Sequence, residues 1–131
     1  MAPTSTRAAT GQYFRGVTAG AAELETSLAA FRLTYPDGKF YRGENFRPDF
    51  VIYASSASCR IDEMLDLSPP QEADEGTKTF EAELEAILGD YQAQVDRGLD
   101  AIRQRNTSDY RDFNRNIDGV AGRLRLLIDS R

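Results

Sequence analysis

Apolar side chains recur along this chain at steps of three and four residues, in four separate stretches. A stripe of that period lies on one face of an α-helix, and a helix with one apolar face must bury it against another element. The most regular stripe is Tyr110, Phe113, Ile117, Val120, Leu124 and Leu127, a heptad seam. Ser108-Asp109 ahead of it offers an N-cap and a first-turn acid, which predicts a helix over 108–130. A second long stripe, Phe80, Leu84, Ile87, Leu88, Tyr91, Val95, Leu99 and Ile102, predicts a helix over 77–105. Glu81, Glu83 and Glu85 load its first turns and Arg97, Arg103 and Arg105 its last, both in keeping with the helix dipole. The link Asn106-Thr107-Ser108 is so short that these two helices must form an antiparallel hairpin.

The other two stripes are weaker. Tyr13, Val17, Ala21, Leu24, Leu28, Phe31 and Tyr35 predict a helix over 13–35, closed by the turn Pro36-Asp37-Gly38. Gly11, Gly16 and Gly20 each cost roughly 1 kcal/mol against alanine, so fraying or bending is expected before Ala21. Phe50, Ala54, Ala57, Ile61 and Leu65 predict a helix over 48–67. Here Phe50-Val51-Ile52-Tyr53 has high strand propensity and Ser55, Ser56 and Ser58 are poor helix formers. A short strand at 50–53 before a helix from Ser58 is the competing reading; the unbroken apolar face favours one helix. Residues 68–76, rich in Pro, Glu and Asp, read as a solvated linker, and residues 1–10 as disordered. The expectation is therefore an all-α fold, an antiparallel four-helix bundle forming a single domain over 1–131.

Composition then removes chemistry. The chain of 131 residues has no histidine and one cysteine, Cys59. Ser-His-Asp and Cys-His catalysis, histidine zinc sites and Glu-x-x-His di-iron bundles are excluded, as is an intrachain disulfide. Cys59 is expected to be packed and inert. Glu81, Glu85, Asp96 and Asp100 have four-residue spacings that suit a hard cation but fit solvent-facing acids better, and no phosphate-binding glycine loop is present. No cofactor or metal is called for. Asn106-Thr107-Ser108 matches a glycosylation sequon, which is set aside without a secretion signal.

Net charge is −5 and uneven: residues 1–96 carry eight basic against sixteen acidic groups, residues 97–131 eight arginines against five aspartates. That acidity argues against nucleic acid as a partner, and the C-terminal arginines are expected to pair with acidic helices of this molecule or of a partner. Only Lys39 and Lys78 are lysine, a bias that points to a GC-rich bacterial source. No run approaches the roughly 20 apolar residues of a membrane span, so no membrane insertion is expected. A cytoplasmic location is the expectation, with the extracytoplasmic domain of a larger receptor as the alternative.

One segment stands apart. Tyr35 to Arg47 is long for a bundle connection and carries Tyr35, Lys39, Phe40, Tyr41, Arg42, Phe46 and Arg47. Aromatic and arginine side chains on a loop are the types that dominate interfaces, and they also suit a small anionic or aromatic ligand. Alternatively the aromatics plug one end of the bundle. The leading functional expectation is a non-enzymatic interaction module, an adaptor, chaperone-like or immunity-type protein. It would dock another protein, or a second copy of itself, through a helix face or this segment. The alternative is a ligand-sensing bundle that binds a small anionic or aromatic molecule. A third is an arginine-based enzyme: Gly122 to Arg131 resembles the arginine-bearing first helix of the small chorismate mutases, though without the Lys and Gln pattern that follows there.

Overall fold

The structure, a computed structural model, describes residues 5–36 and 39–130. Four helices account for most of the described residues: α1 (Thr6–Thr34), α2 (Phe46–Asp66), α3 (Glu75–Gln104) and α4 (Thr107–Asp129). Cross-helix contacts fix their directions. Gly16 faces Leu67, Gly20 faces Met64 and Glu23 pairs with Arg60, so residue numbers fall on α1 as they rise on α2. The same reversal holds for α2 and α3 (Phe50 with Gly98, Ser58 with Gln92), α3 and α4 (Gly98 with Phe113, Asp90 with Arg123) and α4 and α1 (Asp118 with Arg32, Arg125 with Glu25). The result is the antiparallel four-helix bundle that the periodicity predicts.

Each stripe faces one shared core. Val17 and Leu24 of α1, Phe50, Ala57 and Ile61 of α2, Leu84, Leu88, Tyr91 and Val95 of α3, and Tyr110 and Ile117 of α4 are almost wholly buried in it. Residues 50–53 are helical, which settles the competing strand in favour of the helix. The four-in-a-row apolar run resolves by face: Phe50 and Tyr53 point inward, Val51 and Ile52 outward. Leu65 is exposed and Met64 fills the core position expected of it, because the interior face drifts by one residue in the last turn.

Five further expectations are corrected. Thr6–Thr10, expected to be disordered, begins α1, whose first turn Ser5 caps by accepting the Ala8 N–H at 3.1 Å; residues 1–4 lie outside the described residues. The glycines do not fray α1. Gly16 and Gly20 lie where a Cβ would come within 2.8 Å of Leu67 and 2.5 Å of Met64, so close helix approach offsets their poor propensity. The N-cap of α4 is Asn106 and not Ser108: its Oδ1 accepts the Asp109 N–H at 3.0 Å and its Nδ2 donates to the Asp109 carboxylate at 2.8 Å. α3 starts at Glu75, two residues earlier than expected. Asp74 caps it by accepting the Thr77 N–H at 2.8 Å, and that bond holds its carboxyl below the usual carboxylate range. Ala73 in the supposed solvated linker is buried.

The four seams are not equal. α3 and α4 pack most intimately, α1–α2 and α2–α3 less so, and α1 and α4 meet only sparsely. Gly98 explains part of the tightness of the hairpin. A Cβ there would stand 2.7 Å from Phe50 and 2.9 Å from Phe113, so only glycine lets both rings lie against α3.

Candidate functional site

The antiparallel order puts the end of α1, the start of α2, the end of α3 and the start of α4 at one end of the bundle. That end is aromatic. Phe31, Tyr35, Phe40, Tyr41, Phe46, Phe50 and Tyr110 form a continuous set of ring contacts, mostly edge-on, with centroids 5.0 to 5.9 Å apart along the chain Phe31–Tyr35–Phe46–Phe40–Tyr110–Phe50. Phe46 sits at its centre, fully buried. The segment from Tyr35 to Arg47 therefore plugs the bundle with part of its aromatic set and leaves its basic side chains at the surface. Phe46 plugs the bundle end, Phe40 and Tyr41 are half-buried against the plug, and Lys39, Arg42 and Arg47 remain exposed.

The two tyrosines of the segment hold it down. Tyr35 donates to the Asp49 carboxylate at 2.5 Å, which pushes its phenol up to about 12, and Tyr41 donates to the Pro36 carbonyl at 2.8 Å. Above the plug is a hollow of about 540 Å³. Phe40, Tyr41, Arg42, Phe46 and Arg47 of the expected site line it, whereas Tyr35 and Lys39 do not. Ile102, Arg105 and Thr107 complete it from the α3–α4 corner.

Arg105 is the residue that the sequence reading missed. It holds φ 54°, the one left-handed non-glycine among the described residues, and it ends α3 while its neighbour's N–H bonds back to the Ala101 carbonyl at 2.9 Å. The helix-hairpin argument carried the signal: an antiparallel order necessarily brings residues 105–107 to the same end as 35–47. Arg42, Arg47 and Arg105 thus converge on one hollow, and none of the three forms an ion pair among the described residues. Among the described residues Glu44 is the one acid lining the hollow, and the nearby Asp49 is engaged by Tyr35. Two helix starts add to the positive potential: Thr107 opens α4 at the rim, and Asn45, at the head of α2, makes no side-chain capping bond.

Elsewhere several arginines are paired, although Arg7, Arg15, Arg97 and Arg111 also form no ion pair among the described residues. Arg60 binds Glu23 and Glu63, Arg123 binds Asp90, Arg125 binds Glu25 and Asp129, and Arg32 binds Asp118 and Asn114. Arg123 and Arg125, which carry the likeness to the chorismate mutases, are exposed on α4 and do not point into the bundle. Asp96 accepts from Gln92 and Asp100 from Arg103; among the described residues no three Cys, Asp or Glu side chains gather to hold a metal ion. Cys59 is exposed, contrary to the packed position expected of it, because it falls on the outer face of α2; its thiol lies 3.6 Å from Glu63. No described helix is long and apolar enough to cross a membrane.

Comparison of the chain with protein-family models, with curated proteins and with solved structures finds no match to any of them.

Proposed function

We propose that this chain is a non-enzymatic binding bundle, and that the hollow at its aromatic end takes a small molecule in which a carboxylate or phosphate is joined to a flat ring. The observation that carries the reading is that Arg42, Arg47 and Arg105, unpaired among the described residues, line one hollow with the half-buried Phe40 and Tyr41, in a protein whose net charge is −5. Guanidinium groups recognise planar anions through paired N–H bonds and stack on aromatic faces, so the hollow offers both halves of such a ligand a partner. With no histidine in the chain, nothing at the site is suited to proton transfer near neutral pH.

Calorimetric titration with 1-naphthoate and with the uncharged 1-naphthalenemethanol tests it. Naphthoate is expected to bind and the alcohol to bind at least tenfold more weakly. Arg42→Ala, Arg47→Ala and Arg105→Ala should each cost about tenfold or more, since a hydrogen bond to a charged group contributes about 1.5–3 kcal/mol. Equal affinity for acid and alcohol, or no naphthoate binding at millimolar concentration, rules the reading out.

A second reading, an interaction module that self-associates, is favoured by the outer face of α2. Val51, Ile52, Ser55, Ser56 and Cys59 form an exposed strip without a charge, and Ile52 is 67% exposed. An uncharged strip on an otherwise charged surface suits a second copy of the same helix. Sedimentation velocity at rising concentration should then show a dimer that Ile52→Glu dissolves; a monomer at every concentration removes this reading.

A further inference from the structure

The sparse seam between α1 and α4 is a groove of about 690 Å³. Its walls are Ala21, Leu24, Leu28 and Ala29 on one side and Ala121, Gly122, Leu124 and Ile128 on the other. Small residues on both walls leave it unfilled. Two ion pairs cross the groove, Arg32 with Asp118 and Glu25 with Arg125 at 3.5 Å. They lie seven residues apart on each helix, which is about 10 Å along the axis. Tyr91 reaches the groove from α3. It is only 1% exposed, and among the described residues its hydroxyl has no partner with good hydrogen-bond geometry, although it lies in the field of Arg32 and Asp118. The neighbouring Tyr53 hydroxyl is buried as well; the two phenols lie close enough to act on each other's protonation, yet neither has a partner with good hydrogen-bond geometry among the described residues. A buried hydroxyl left without a partner is a cost that folded proteins ordinarily avoid.

We propose that this groove is a second binding site, for an uncharged and mainly apolar small molecule with one oxygen that hydrogen-bonds the Tyr91 hydroxyl. The volume is that of a small-molecule site, for which roughly 300–1,000 Å³ is usual. The walls supply apolar contact and the orphaned phenol supplies the single directional group. The charge state follows from the rim. Arg32 and Arg125 already hold Asp118, Glu25 and Asp129, so an ionic ligand would have to displace a partner, while a neutral one leaves every pair intact. A partner helix is a poorer occupant: at about 10 Å in diameter it would have to break both cross-groove pairs to lie between α1 and α4. The site is independent of the arginine hollow, with which it shares no lining residue.

The probe for the test is the neutral fluorescent ketone 2-dimethylamino-6-propionylnaphthalene, whose emission shifts to the blue in an apolar site. Wild-type protein is expected to bind it with a saturable blue shift that excess 1-naphthoate does not reverse. Gly122→Phe, which places a ring in the groove where a Cβ meets nothing within 4 Å, should abolish the shift while leaving the circular dichroism spectrum unchanged. Tyr91→Phe keeps the ring and removes the hydroxyl, and should weaken the ketone about fivefold or more; displacement by 1-ethylnaphthalene, which has no oxygen, should be unaffected. A wild-type protein that gives no saturable shift overturns the proposal, as does a Gly122→Phe variant that binds as well as wild type. Equal ketone affinity in Tyr91→Phe overturns the role given to the hydroxyl.

Discussion

Helix α4 has two neighbours and treats them differently. Toward α3 it presents Tyr110, Phe113, Ile117, Val120, Leu124 and Leu127, all buried, with Gly98 opposite to let Phe113 approach. Toward α1 it presents Ala121, Gly122, Arg125 and Ile128, and the opposite wall is alanine-rich. One seam is built of large side chains meeting a small one; the other has alanine or glycine on both sides between Leu24, Leu28, Leu124 and Ile128, with ion pairs at the rim. Large against small fills space, whereas small against small leaves a groove unless the helices close, and the two rim pairs set the helices apart. Stability is thus concentrated in the α3–α4 hairpin, while hollows of about 690 Å³ and 540 Å³ lie on the α1 side and at the aromatic end.

The sharpest way to break this contrast is to make the same substitution in both seams. Gly98→Ala drives a Cβ into two buried rings that have nowhere to turn, so a loss of about 1–3 kcal/mol is expected in urea unfolding. Gly122→Ala is made on the groove side, where a Cβ meets nothing within 4 Å, and should gain about 0.5–1 kcal/mol from helix propensity alone. Effects of the same sign at both positions would erase the distinction between the seams.

A smaller effect concerns tyrosine. Burial, with Glu81 and Glu85 nearby, pushes the Tyr13 phenol up to about 12, and burial likewise raises Tyr53, Tyr91 and Tyr110. The folded state therefore holds these protons more tightly than the unfolded chain, whose phenols titrate near pH 10. The associated stability is complete below pH ~10 and is lost as pH rises through the folded-state values. Absorbance at 295 nm at pH 11 should show much less tyrosinate in the native protein than in urea; equal ionisation would mean that the core phenols are not buried.

The bundle itself was legible in the sequence because each helix repeats its signal over several turns. The stripe on α4 coincides with its buried residues without exception. What local pattern did not show depends on contacts between distant residues. The run Phe50-Val51-Ile52-Tyr53 is ambiguous in strand or helix until the core chooses Phe50 and Tyr53. Gly16 and Gly20 read as weaknesses until Leu67 and Met64 lie against them. Of the hollow, the loop half was visible as an unusual cluster of aromatic and arginine residues. Arg105 was hidden because it lies about sixty positions along the chain and is brought there by topology. The groove was hidden altogether, since alanines beside a stripe look like ordinary helix surface.

Residue-resolved native hydrogen exchange tests the central contrast most directly, because it reads the stability of each helix separately. The amides of Leu88, Val95, Ile117 and Val120, in the α3–α4 seam, are predicted to exchange slowest, with an opening free energy equal to that of global unfolding. Those of Leu24 and Leu28 in α1, beside the groove, are predicted to exchange at least tenfold faster through a local opening. Protection of Leu24 and Leu28 equal to that of Ile117 would contradict the account, since it would mean that the groove side is as firmly closed as the hairpin.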